Sequence, residues 1–103
     1  MERRQFPRKE LRLDVVCLLG NDVKAMVKAE SIDVSLGGIG LNLEKPVGCE
    51  KNISMMIYDA SGKKGIEAKG DIVWQSDPDL SGRCRAGVQF TEIPWTQIRR
   101  LVS

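Results

Sequence analysis

Asp33 and Ser35, followed at once by Gly37 and Gly38, place an acid, a hydroxyl and two positions without side chains within six residues. An ionised carboxylate only accepts hydrogen bonds, a hydroxyl donates or accepts, and residues two apart on an extended backbone point to one face. Val34 and Leu36 take the other parity and can hold the segment to a core, while the glycines permit positive φ and let a backbone or a flat ligand come close. The same residues also suit a plain β-turn, in which Asp and Ser bond local amides. A second cluster is cationic: Arg3, Arg4, Arg8, Lys9 and Arg12 fall within ten residues, offset locally only by Glu10. A guanidinium is a planar fork that matches two phosphate oxygens or the O6/N7 edge of guanine, and it also stacks on a base face.

The arm that carries these arginines has no apolar periodicity, and Pro7 biases Phe6 away from the α region. It reads as extended. Arg4 and Arg8 then share parity, so both can converge on one ligand where the chain bends near Pro7. A solvated basic tail is the plainer alternative, against which Phe6 argues, since an aromatic ring favours a surface to cover.

From Leu11 the pattern becomes strand-like. Leu11, Leu13, Val15, Cys17 and Leu19 alternate with polar positions, Gly20-Asn21-Asp22 turns the chain, and residues 23–33 form a second run. Ile39, Leu41 and Leu43 make a third strand that Pro46-Val47-Gly48 ends, and Ile53, Met55 and Ile57 make a fourth. After the Ser61-Gly62 turn, Ile66, Ala68, Ile72 and Trp74 read as the inward side of a long fifth strand with Gly70 at a bend or bulge. Residues 76–83 form a hairpin loop, and Cys84, Ala86, Val88 and Phe90 a sixth strand. Beyond Pro94, Trp95, Ile98, Leu101 and Val102 recur at helical spacing, with Arg99 and Arg100 near the C-terminal end, where cations suit the helix dipole. The expected fold is all-β: a six-stranded antiparallel barrel, residues 11–103, with a flexible basic arm, residues 1–10, and a short C-terminal α-helix. Closure removes exposed sheet edges.

The 103 residues, 42% hydrophobic and 29% charged, suit one ordinary globular domain, and a net charge of +2 is too small for general nucleic-acid binding. There is no histidine, and Cys17, Cys49 and Cys84 lack short CxxC spacing, which disfavours a zinc site. Cys17 and Cys84 read as small core residues and Cys49 as a free thiol in a turn. An odd cysteine count without a secretory signal fits a reducing cytoplasm, and no apolar run approaches the roughly 20 residues of a membrane span. An enzyme is disfavoured because no nucleophile has a matched base.

The ordered set Arg4-Gln5-Phe6-Pro7-Arg8, Asp33-Val34-Ser35-Leu36-Gly37-Gly38, Gly70-Asp71-Ile72-Val73-Trp74 and Gly87-Val88-Gln89-Phe90 resembles the PilZ domain, the bacterial receptor module for cyclic di-GMP (c-di-GMP). Its ligand motifs, RxxxR and [D/N]xSxxG, fall on Arg4 and Arg8 and on Asp33, Ser35 and Gly38. The resemblance implies that these residues, with Gly37 and Arg3, bind c-di-GMP and that no cofactor is needed. In this family an arginine just before RxxxR is associated with a stacked pair of ligand molecules, so Arg3 points to a ligand dimer. The chemistry agrees: the arginines suit phosphates and the guanine O6/N7 edge, and Asp33 suits guanine N1–H and N2–H₂. The expected mechanism is a switch in which ligand orders the arm against the barrel, with output through an unidentified protein partner or a homodimer.

Two rivals share the same features. A small barrel with a basic arm can bind single-stranded RNA or DNA, but Tyr58 is isolated, and Trp74, Phe90 and Trp95 read as core rather than as stacking platforms. A PilZ-like adaptor working only by protein contacts would have no use for the intact Arg, Asp and Ser positions.

Overall fold

The computed structural model describes residues 7–19, 26–47 and 52–103. Its seven strands are β1 (Lys9–Glu10), β2 (Asp14–Leu18), β3 (Met26–Val34), β4 (Gly38–Leu43), β5 (Ile53–Tyr58), β6 (Gly65–Gln75) and β7 (Cys84–Glu92), followed by the helix α1 (Trp95–Val102). All pairings are antiparallel. Strands β2 to β7 close into a six-stranded barrel because β3 pairs with both β2 and β4, and β2 returns to β5. The short β1 is additional. It lies on the edge of β3 that β2 also uses, with Lys9 opposite Val34 and Glu10 opposite Asp33.

The stretch between β1 and β2 departs from the continuous strand that alternation from Leu11 predicts. Ser31, almost fully buried, repairs the interruption: its Oγ accepts from the Leu13 N–H at 2.8 Å and donates to the Leu11 carbonyl. A buried hydroxyl partnered on both sides escapes the desolvation cost of an orphan polar group.

Alternating apolar residues fill the interior. Val15 and Cys17 of β2, Val27 and Val34 of β3, Ile39, Leu41 and Leu43 of β4, and Ile53, Met55 and Ile57 of β5 are each at most 3% exposed. Burial of each large aliphatic side chain is worth about 1.5–3 kcal/mol. Ile98 of α1 is fully buried in the same cluster, with Leu101 and Val102 packed beside it, so the helix lays an apolar stripe on the barrel. Cys17 and Cys84 are core thiols as expected, and burial pushes the Cys17 pKa up to about 11. The turn at residues 20–22 and Cys49 lie outside the described residues.

Local chemistry sets the connections. Gly62 and Gly82 take φ of 72° and 87° in the β5–β6 and β6–β7 turns. Asp79 organises the latter by accepting from Ser81 N–H (2.8 Å), Ser81 Oγ (2.6 Å) and Arg83 N–H (3.1 Å). Those bonds, the Ser81 hydroxyl first, hold its carboxyl below the usual carboxylate range. Asp71 accepts the N–H of Asn52 at 2.8 Å, where the chain enters β5 with a left-handed φ of 58°.

Two aromatic residues correct the expectation that they are core. Trp74 is 50% exposed and Trp95 56% exposed. Trp95 opens α1 at the barrel rim, near Leu36, Phe90 and Ile93, while Ile98 one turn later takes the buried position. The reason for Trp74 lies in β6 and belongs to the site.

Candidate ligand-binding cleft

Two β-bulges decide which side chains face outward over β3, β4, β7 and β6. In β3 the register passes from Ser31 opposite Leu41 to Asp33 opposite Gly40, leaving Ile32 as the extra residue. Before the bulge the odd residues Val27 and Ser31 point inward; after it Val34 does. Asp33 is therefore turned out of the barrel rather than into it, as bulges commonly re-aim a side chain. In β6, Ile72 faces Val88 and Trp74 faces Gly87, so Val73 is extra and Trp74 moves from inward to outward parity. Period-two reasoning carried through the bulge puts this residue on the wrong side.

The outward face between the bulges has a floor of glycines. A Cβ at Gly38 would sit 2.3 Å from the Val88 carbonyl oxygen, one at Gly40 2.9 Å from Asp33 Oδ1, and one at Gly87 2.0 Å from Trp74 Nε1. Gly38 thus allows close backbone approach, whereas Gly40 and Gly87 make room for a side chain lying across them. Among the described residues the positive-φ glycines are Gly62 and Gly82. Gly38 serves by lacking a Cβ, not by adopting the left-handed region that the sequence had also allowed it.

Arg8, Asp33, Ser35, Gly37 and Gly38 line one cleft of about 500 Å³, together with Gly40, Trp74, Arg85, Gly87 and Gln89. Arg8 and Asp33, 25 residues apart, are joined directly: Arg8 Nη1 donates to Asp33 Oδ1 at 3.3 Å and Oδ2 at 3.4 Å. Both side chains keep solvent contact, 46% for the arginine and 24% for the acid. An exposed pair of this kind contributes about 0–1 kcal/mol, so it is easily exchanged. Arg3 and Arg4 lie outside the described residues.

Ser35 follows the turn chemistry rather than standing free beside Asp33. It is 6% exposed, its Oγ accepts from the Gly37 and Gly38 N–H groups at 3.1 Å each, and its own N–H donates to the Gly38 carbonyl at 2.9 Å. Both acceptor positions of the hydroxyl are thereby used. The Gly37 carbonyl in turn accepts the Phe90 N–H at 2.9 Å, tying the loop to β7.

Sequence reasoning missed Gly40, Trp74, Arg85, Gly87 and Gln89 as cleft residues. A signal was present: Gly40 and Gly87 alternate with the core residues Ile39, Leu41, Ala86 and Val88, so each is an outward strand glycine. Such a residue weakens a strand unless something must approach closely. Arg8 and Arg85 outnumber Asp33 in the lining, which favours an anion. Among the described residues no cluster of His, Cys, Asp or Glu could hold a metal, and no helix is long and apolar enough to cross a membrane.

The PilZ domain family profile matches residues 2–103, and the chain belongs to that family. No curated protein matches it significantly. Solved structures with the same fold include the inhibitor of motility MotI/DgrA of Bacillus subtilis, with 19% identity and a TM-score of 0.74 over 99% of this chain and 49% of that one. The PilZ domain of YcgR from Escherichia coli, solved with c-di-GMP, has 19% identity and a TM-score of 0.73 over 98% of this chain and 89% of that one. MrkH of K. pneumonia, solved as a c-di-GMP complex, has 24% identity and a TM-score of 0.56 over 97% and 49%. The chain spans about half the length of MotI/DgrA and of MrkH.

Proposed function

We propose that this PilZ domain is a receptor for c-di-GMP, bound in the cleft between the Arg8 arm and the glycine floor of β4 and β7. The observation that carries this reading is the meeting of Arg8 with Asp33, Ser35, Gly37 and Gly38 around one opening of about 500 Å³. Pockets for small ligands commonly measure about 300–1,000 Å³. Two resembling proteins, YcgR and MrkH, were solved with the same nucleotide.

In this reading Asp33 accepts from guanine N1–H and N2–H₂, taking in exchange the position that the Arg8 guanidinium now fills. The released Arg8, with Arg3 and Arg4, turns to the phosphates and to the O6/N7 edge, with charge-assisted bonds worth about 1.5–3 kcal/mol each. Ser35 acts through the loop: it holds the Gly37 and Gly38 amides in place and leaves their surface bare for the ligand. Of the arm, residues 1–10, Lys9 and Glu10 already pair with β3; binding fixes the part before them against the barrel, residues 11–103, and alters a surface that a downstream protein or a second copy reads. Arg3 favours two stacked ligand molecules. No catalytic step is assigned, since Asp33 is partnered by a guanidinium and the sequence has no histidine.

The half-exposed Trp74 favours one rival, single-stranded nucleic acid, because aromatic faces stack on bases of any sequence. Calorimetric titration with c-di-GMP and with a random oligonucleotide, each at two salt concentrations, separates the two. The receptor reading expects micromolar saturation by the cyclic dinucleotide. Oligonucleotide binding that falls steeply with salt, without response to c-di-GMP, refutes it.

A further inference from the structure

The outer face of an antiparallel barrel meets water, and its strands ordinarily alternate apolar inside with polar outside. Across from the cleft this rule is broken. Val16 and Leu18 of β2 and Met56 and Tyr58 of β5 alternate with the buried Val15, Cys17, Met55 and Ile57, so they stand on the outer surface, where each is only partly covered. Met26 of β3, paired with Leu18, is half exposed. In the ring of six strands β2 and β5 lie opposite β4 and β7, so this apolar face is separate from the cleft. A contiguous apolar patch of this kind marks an interaction surface. We propose that a second copy of the chain docks on it, forming a two-fold symmetric dimer that leaves both clefts open. The inference does not depend on the c-di-GMP reading.

The pattern of charge selects the occupant. The register sets Lys28 of β3 beside Val16, Val16 beside Met56, and Met56 beside Glu67 of β6, one row that runs from a cation through two apolar residues to an anion. A two-fold interface brings the same patch of both copies together, so that residue i meets j and j meets i. With the axis parallel to the strands and between β2 and β5, every residue keeps its level and exchanges sides. Val16 of each copy then meets Met56 of the other, and Lys28 of each comes to the side of the other's Glu67. Asp14 and Tyr58, one step beyond the Val15–Ile57 pair, exchange in the same way, which sets a phenol O–H against a carboxylate. An axis at right angles to the strands would instead bring Lys28 to Lys28 and Glu67 to Glu67.

The flanking charges are available for this use. Among the described residues the ion pairs join Arg8 to Asp33 and Lys69 to Glu92; Lys28 and Glu67, both exposed, take part in neither. Gly65 broadens the apolar surface: the Cβ it lacks would lie 2.5 Å from Met56 Sδ and 2.9 Å from Cγ, so Met56 lies across the β5–β6 pair instead of standing clear of it. A thioether adapts readily to a facing surface. Because a barrel is convex, direct contact is confined to β2 and β5, and Lys28 and Glu67 sit on the shoulders, where charges set orientation and encounter more than affinity. Contact over two strands per copy is small beside the roughly 800 Å² per partner of a standard interface, which points to a dimer of micromolar stability.

Sedimentation equilibrium of the full chain, without ligand, measures the association. Wild type should pass from one to two 11.5 kDa chains per particle as its concentration rises through the micromolar range. Met56→Asp buries an unpaired charge twice per dimer and should weaken association roughly 30-fold or more, with circular dichroism unchanged. Lys28→Glu and Glu67→Lys should each weaken it roughly 3- to 30-fold at about 0.1 M salt. Mixed in equal amounts, these two variants should associate within about 3-fold of wild type, because each copy then offers the charge the other needs. No contact within one chain can be rescued by mixing. If Met56→Asp does not fold, the two exposed variants and their mixture carry the test. Wild type that stays monomeric at millimolar concentration overturns the proposal and leaves the face to a different protein. A dimer that persists at full strength in Met56→Asp lies on another surface and overturns it as well. A mixture no stronger than its parts overturns the arrangement with the axis along the strands. Binding of c-di-GMP is read separately by calorimetry, and its failure would leave the dimer standing.

Discussion

Alanine at Gly38 and alanine at Gly40 should separate the barrel from its cleft, although the two positions are neighbours on one face of β4. At Gly38 the new methyl meets the Val88 carbonyl oxygen at 2.3 Å, and relief to an ordinary contact requires about 1 Å of movement in the β7 backbone. Backbone held in a closed ladder yields poorly, and overpacking of this kind costs about 1–3 kcal/mol. For a domain of this size each kcal/mol shifts Tm by about 4–8 °C, so Gly38→Ala should lower Tm by roughly 4–24 °C. At Gly40 the methyl meets only the Asp33 carboxylate at 2.9 Å, the free end of a partly exposed side chain. Rotating that group away costs about 0.5–1.5 kcal/mol at most. The gain from a less flexible unfolded chain, about 0.4–1 kcal/mol, nearly offsets it. Gly40→Ala should therefore keep the wild-type Tm within a few degrees while breaking the Arg8–Asp33 contact and displacing the acceptor proposed for guanine. Loss of one charge-assisted bond corresponds to roughly 10- to 150-fold weaker binding. Thermal unfolding by circular dichroism and titration calorimetry with c-di-GMP read both quantities. A Gly40→Ala protein that unfolds as early as Gly38→Ala, or binds as well as wild type, refutes the reasoning.

Further expectations concern single groups. Arg8→Ala removes an exposed ion pair, so stability should move by only about 0–1 kcal/mol while micromolar c-di-GMP binding is lost; calorimetry beside a denaturant titration checks this. Ser35→Ala leaves the Gly37 and Gly38 amides without their acceptor and should cost about 1–3 kcal/mol in urea unfolding, whereas Ser35→Thr, which keeps the oxygen, should recover most of it. Cys17 ionises near 11 when folded against an ordinary 9.0, so the native state binds the extra proton between those values. Stability should accordingly be complete below pH 9 and fall by roughly 2–3 kcal/mol as pH rises toward 11, an effect that Cys17→Ala abolishes in pH-dependent unfolding.

Most of the barrel is legible from period-two alternation because its interior is filled by regularly spaced aliphatic residues, as in Ile53, Met55 and Ile57 or Ile39, Leu41 and Leu43. The helix is legible from the spacing of Ile98, Leu101 and Val102. Alternation fails where one residue is inserted without a change in composition. The Val73 bulge inverts the side on which Trp74 lies, and nothing in Ile72-Val73-Trp74 announces it. The Ile32 bulge has the opposite consequence: Asp33 is read correctly as outward only because the polar pair was judged from its own chemistry rather than from the phase of Val27 and Ser31. Ser35 shows a different limit. Parity puts it beside Asp33, yet two adjacent amides claim its oxygen, and local turn chemistry outcompetes the open face. Of the missed cleft residues, Gly40 and Gly87 were readable in principle as outward strand glycines. Arg85 was not, since a surface arginine on a strand is ordinary until the structure places it at a cleft.

Calorimetric titration of the purified protein with c-di-GMP bears most directly on the account, because it returns affinity and stoichiometry together. Saturable binding in the micromolar range, abolished by Arg8→Ala and little affected by moderate salt, is the expected result, with two nucleotides per chain if Arg3 supports a stacked pair. Absence of binding heat by a protein with wild-type circular dichroism, or binding that survives Arg8→Ala, contradicts it.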